Sequence, residues 1–199
     1  MPRRHSIFRV IPKLIFLVNR FFFRRFYSNF EFHPETRALE TNPLLGAGNG
    51  HALSRDLHVL IPFLVSLRFL GCKSILDLGS GDGFVLKLAE KFRYSEIIGI
   101  EAHSALFELL EKNCTRAKLH NLFFEEINAD DFPDIIDLIY LFNPTDYVTV
   151  IESCMKLKCK WLLMKNFSLR DQDELRLKVV KILNYQSYSL YRSKVYNRI

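Results

Sequence analysis

Three glycines at alternate positions, Gly79, Gly81 and Gly83, lie between two acids suited to holding parts of one ligand. They close the run ILDLGSGDG, residues 75–83, in which Asp77 stands two positions ahead of Gly79. The second acid, Glu101, ends IIGIE and follows Gly83 by 18 positions. A buried strand that runs into glycines and then a helix lets main chain approach a bulky nucleotide-like group closely. A carboxylate at the tip of the next strand is placed to accept hydrogen bonds from a ribose diol. A dinucleotide fingerprint would need a third glycine at the sixth position counted from Gly79, and Phe84 stands there instead. Asp77 beside the turn repels a pyrophosphate and attracts an ammonium group. These residues point to a nucleoside ligand that carries a positive charge.

The elements that must position them read as alternating strand and helix. Apolar runs predict strands over 74–79, 96–101, 122–127, 135–142 and 160–167, and apolar periodicity predicts helices over 83–92, 103–117, 146–157 and 170–183. Such alternation implies a doubly wound, mostly parallel α/β sheet joined by right-handed crossovers. Residues 53–70 read as a further helix containing Pro62 and stopped by Gly71, and β-like alternation in 185–199 predicts a short C-terminal antiparallel hairpin turned near Arg192–Lys194.

The strand, acid and G-x-G-x-G turn, with Glu101 at its spacing, resemble the class I S-adenosylmethionine-dependent methyltransferases over residues 74–167. The resemblance implies that Asp77, Gly79, Ser80 and Gly81 hold the methionine part of S-adenosylmethionine, and that Glu101 binds the ribose with Ala102 and His103 beside the adenine. In NADDF, residues 128–132, it implies an acid facing the adenine amino group, Asp130 first and Asp131 second. Asn143–Pro144, at the end of YLFNP, is similar to the corner after the fourth strand of these enzymes, in particular uncharacterised bacterial members with an FNPF-type corner. There Asn143 would touch cofactor or acceptor, while Thr145 and Asp146 depart from the motif of amino-methylating members. A proton, where one must leave, would pass to Asp146 or Tyr147, so Asn143, Asp146 and Tyr147 are the catalytic candidates and no base is assigned. The expected activity is methyl transfer to a protein side chain or small molecule. The alternatives are a cofactor-binding adaptor without chemistry and, behind it, an NAD-type oxidoreductase.

Of 199 residues, 49% are hydrophobic and eighteen are phenylalanine, which excludes a disordered chain. The net charge of +6 is uneven: residues 1–30 hold seven basic residues and no acid, leaving 21 basic residues against 22 acids in the rest. A body that sums to −1 argues against a broad nucleic-acid surface. Arg9, Lys13, Arg20 and Arg24 would share a stripe about 60° wide on a helix otherwise rich in apolar residues. Such an arm suits an anionic membrane surface. Packing on the body, a mitochondrial leader in a eukaryotic source and a nucleic-acid arm are its other readings. Residues 31–52, with glycines in GAGNGH, read as a linker or lid before a catalytic domain over 53–199. Cys72, Cys114, Cys154 and Cys159 have no C-x-x-C or zinc spacing, so free thiols and no metal are expected. No run of 18 apolar residues predicts a membrane span, and the expected location is cytoplasmic, peripheral at a membrane if the arm binds one.

Overall fold

The computed structural model describes residues 57–142, 147–166, 169, 175, 178–185 and 187–194. The readings placed on the basic arm, on the linker and on Asn143 and Asp146 lie outside these residues. The chain divides into two compact units, 1–71 and 72–199. In the first, α1 (Leu57–Phe69) carries Pro62 inside it and is buried at Val59, Leu60, Phe63 and Leu64. No helix among the described residues is long and apolar enough to cross a membrane.

The second unit is a seven-stranded sheet. Its elements are β1 (Ser74–Leu78), α2 (Phe84–Lys91), β2 (Glu96–Ile100), α3 (Ser104–Asn113), β3 (Lys118–His120), β4 (Ile136–Phe142), α4 (Tyr147–Lys156), β5 (Cys159–Lys165), β6 (Val179–Tyr185) and β7 (Tyr188–Ser193). The strand order is β3-β2-β1-β4-β5-β7-β6. The first five strands are parallel, and β7 runs antiparallel between β5 and β6. The central strands are continuous apolar runs because both faces are covered. One covering layer includes Val150, Ile151 and Cys154 of α4, packed with Leu76, Ile98, Ile139 and Leu162.

Four expectations need correction. The third strand is Lys118–His120, upstream of 122–127, where Phe124–Glu126 forms a 3-10 turn instead. Ser153 on α4 donates to the Phe124 carbonyl at 2.7 Å, so packing draws this apolar run toward α4 and out of the sheet. The helix read over 170–183 overruns, because Val179–Tyr185 is strand β6, and the helix over 103–117 ends at Asn113. The hairpin therefore starts earlier than expected, and Arg192 lies within β7 rather than in its turn. All four cysteines are free thiols.

At the amino-terminal end of the strands, Asp137 knots three elements together. Its carboxylate accepts from the Lys73 and Ser74 main-chain N–H groups and from Lys160, while its own N–H donates to Ser74 Oγ at 2.8 Å. Burial alone would raise its pKa, but the Lys160 and main-chain donors together hold it below the usual value of 3.8. A carboxyl depressed in the folded state stabilises above its unfolded pKa, and that stability is lost as pH falls through the folded pKa. Asp137→Ala leaves two main-chain donors unsatisfied and should cost about 2–4 kcal/mol at pH 7 in urea unfolding. The difference from wild type should shrink once the pH drops below 3.8.

Candidate cofactor site

The site sits at the carboxyl ends of β1 and β2, where loops of a parallel sheet leave a cleft. Gly79, Gly81 and Gly83 have φ of 81°, 56° and 84°, left-handed values that other residues adopt at a cost. The main-chain N–H groups of Gly79 and Ser80 both donate to the Ile100 carbonyl, at 2.9 and 2.8 Å, tying the turn to the tip of β2. Ser80 Oγ donates to the Asp77 carbonyl, and Asn113 Nδ2 of α3 donates to the Asp82 carbonyl. Asp82 itself accepts from the Phe84 N–H at the start of α2.

The glycines serve different ends. A Cβ on Gly83 would lie 2.4 Å from Cys114 Sγ and 2.6 Å from Leu110, so that glycine is needed for packing. A Cβ on Gly81 would meet nothing within 4 Å, and one on Gly79 would meet only the Phe124 ring edge at 3.9 Å. The first two glycines thus leave the face of the turn open, as approach by a ligand requires. Gly99 is a further element of the site: a side chain there would strike Leu86 and Ser80 Oγ. An isolated glycine inside the apolar strand IIGIE is the sequence signal for that close approach.

Glu101 is buried, with its two oxygens already oriented. Oε2 accepts from the Gly81 N–H at 2.8 Å and Oε1 from the His103 N–H at 2.9 Å. Each oxygen keeps a second lone pair for another donor. His103 is exposed and occupies the N-cap position of α3 without a side-chain cap, so it serves the turn through its main chain. Asn121, missed in the sequence, donates from Nδ2 to the carbonyls of Glu101 and Ala102 and holds the half-buried Ala102 loop in place.

Asp77 is 2% exposed, and no hydrogen bond reaches its carboxylate among the described residues. Burial first, then the charges of Glu101 and Asp82, push its pKa well above the usual value. A buried carboxylate facing two others favours a cationic group, which would relieve both the desolvation and the repulsion.

Asp130 and Asp131 are exposed on a 3-10 turn, Ala129–Asp131, capped where Asn128 accepts from the Asp130 N–H. That turn is held beside β3: Lys118 donates to the Asp131 carbonyl, and the His120 and Phe132 rings lie 5.0 Å apart, tilted by 37°. His120 in turn accepts, through its carbonyl, the Glu101 N–H. The structure therefore brings together Asp77, Gly79, Ser80, Gly81 and Glu101, with Ala102 beside them, while Asp130 and Asp131 sit on the separate turn held beside β3. Tyr147 opens α4 after the tip of β4. No group of side chains fit to hold a metal occurs among the described residues.

The strand order with its antiparallel seventh strand inserted between β5 and β6 decides the fold. It is the class I methyltransferase fold. Among solved structures, a proposed RNA methyltransferase from Pyrococcus horikoshii matches with a TM-score of 0.52 at 12% identity, over 93% of this chain and 98% of that one. The ribosomal protein L11 methylase from Lactobacillus delbrueckii subsp. bulgaricus matches with a TM-score of 0.52 at 10% identity, over 70% of this chain and 80% of that one. No protein-family model and no curated protein sequence matches the chain.

The two kinds of glycine separate experimentally. Gly81→Ala should cost about 1–2 kcal/mol, the strain of a left-handed alanine. Gly83→Ala adds a clash with Cys114 and Leu110 and should cost about 3–5 kcal/mol, or prevent folding. Urea midpoints of the two variants check the order.

Proposed function

We propose that the protein is an S-adenosylmethionine-dependent methyltransferase, and the observation that carries this reading is the buried carboxylate of Asp77, which no hydrogen bond reaches among the described residues, beside an open glycine turn. S-adenosylmethionine carries an ammonium group and a sulfonium whose methyl is already activated for transfer. Asp77 would accept the ammonium of its methionine part, directly or through water. Glu101 would accept the ribose hydroxyls on its remaining lone pairs while the Gly81 and His103 N–H groups keep it aimed. Gly79 and Gly81 let the main chain come close without a side chain intervening. Ala102, Asp130 and Asp131 would line the adenine end.

A dinucleotide reads less well against the same residues. Phe84 is buried where the third glycine of that fingerprint belongs, and a pyrophosphate would face Asp77, Glu101 and Asp82 together. With an activated donor, the protein's work is to align the acceptor with the methyl. Asn143, Asp146 and Tyr147, after β4, are the residues we assign to the acceptor side, and the acceptor we favour is a protein side chain or small molecule.

Calorimetric titration tests the reading through two variants and two ligands. S-adenosylhomocysteine should bind at micromolar concentration. Asp77→Asn should weaken it tenfold or more while leaving adenosine, which lacks the ammonium, within about twofold. Glu101→Ala should weaken both ligands. Because a carboxyl raised in the folded state is destabilising when ionised, Asp77→Asn should also raise the thermal midpoint of the ligand-free protein at pH 7. That gain should fade as pH falls toward 3.8. A folded wild-type protein that ignores S-adenosylhomocysteine, or prefers NAD, overturns the proposal.

A further inference from the structure

The connection from β3 to β4 carries an aromatic side chain to the glycine turn. Within it, Phe124–Glu126 forms the 3-10 turn that leaves the sheet. Three bonds hold this turn in place. Ser153 Oγ of α4 donates to the Phe124 carbonyl at 2.7 Å, and Lys156 Nζ donates to the Glu125 carbonyl at 3.3 Å. The Glu126 carboxylate accepts the Phe123 N–H at 2.7 Å. Ile127 and Phe132 close the core here and are 2% and 7% exposed. Phe124 is only half-buried, at the margin of the same core cluster.

That ring reaches the turn ahead of α2. A Cβ on Gly79 would lie 3.9 Å from Phe124 Cζ, an ordinary van der Waals contact, so a gap about one methyl group thick separates the ring from the Gly79 main chain. Strand alternation fixes the side from which the ring comes. Leu76 and Leu78 of β1 belong to the core cluster on which Phe124 packs, so Asp77 between them faces the other side of the sheet. The tip of β1 is therefore flanked by a buried carboxylate on one face and an aromatic ring on the other. The ring lies on the side of α4, whose Ser153 anchors it and whose first residue is Tyr147.

We propose that Phe124 is a cofactor-contact residue whose ring favours S-adenosylmethionine over S-adenosylhomocysteine. This inference rests on the reading of the site as one for S-adenosylmethionine. Any ligand group seated on the Gly79 main chain comes within contact of the ring. The methionine part carries two cations, and Asp77 takes the ammonium from the opposite face of the sheet. The sulfonium, whose methyl must be presented toward the residues after β4, is left on the α4 side, beside Phe124. An aromatic ring attracts a cation through its quadrupole, and an aliphatic side chain of similar size does not. S-adenosylhomocysteine keeps the ammonium and the adenosine but has a neutral thioether, so that attraction is absent.

Calorimetric titration of the full chain with both ligands tests this, because they differ only in the methyl group and the charge on sulfur. Phe124→Leu should lower the ratio of the two affinities, S-adenosylmethionine over S-adenosylhomocysteine, about three- to fivefold. Phe124→Tyr keeps a ring and should leave that ratio within about 1.5-fold of wild type. Phe124→Met, also without a ring, serves if the leucine variant misfolds and should lower the ratio to the same extent. Adenosine, which has no methionine part, should bind all of them as it binds wild type. A ratio that stays at the wild-type value in the ringless variants, whether or not both ligands weaken together, reduces Phe124 to packing and overturns this inference while the methyltransferase reading stands. A folded wild-type chain that binds neither ligand overturns both.

Discussion

Three left-handed residues in one five-residue turn are the constraint on which the rest of the site depends. Gly79, Gly81 and Gly83 reverse the chain between β1 and α2 so sharply that two successive N–H groups reach the single carbonyl of Ile100. That bond pair fixes the tips of β1 and β2 relative to each other, and Glu101, the next residue after Ile100, returns the connection through the Gly81 N–H. The ring of contacts closes on α3, where Asn113 holds the Asp82 carbonyl and Cys114 packs beneath Gly83. A side chain at Gly83 or Gly99 would force these elements apart, so the cleft exists only because glycine occupies both positions.

The two ends of the strands are electrostatic opposites. At the amino-terminal end Asp137 is satisfied by Lys160 and two main-chain donors, and its charge strengthens the junction of β1, β4 and β5. At the carboxyl end Asp77 is buried, has no donor among the described residues and faces Glu101 and Asp82. One end therefore supplies stability and the other stores an unmet demand for positive charge. A protein can carry such a carboxylate only where neighbouring structure holds it in place, and here the rigid turn does so.

Legibility followed from how each segment is buried. β1, β2, β4 and β5 read directly because strands covered on both faces are unbroken apolar runs, and each observed strand falls within its predicted span to within a residue. The third strand did not read, since LFFEEI, residues 122–127, has strand-like residues that the tertiary contact with Ser153 of α4 draws into a 3-10 turn. β6 was taken into a helix because ELRLKVVKIL, residues 174–183, satisfies helical spacing as well as alternation, and pairing with β7 settles the matter. Asp77 and Glu101 were visible through glycine spacing, whereas Asn121 and Phe124 were not: their contribution lies in contacts across the cleft and follows no local pattern.

The sequence by itself determined the alternating α/β plan, the glycine turn and the two acids that flank it, because these depend on local backbone freedom and on burial of consecutive residues. Only the tertiary structure decided that Asp77 is buried without a donor among the described residues, since that depends on what the elements packed around it present. Only the strand order decided where charge resides: among the described residues, Lys178, Lys181, Arg192 and Lys194 gather at the β6–β7 side of the sheet. Residues far apart in sequence share a sheet edge through pairing, and summing charge along the chain cannot register that arrangement.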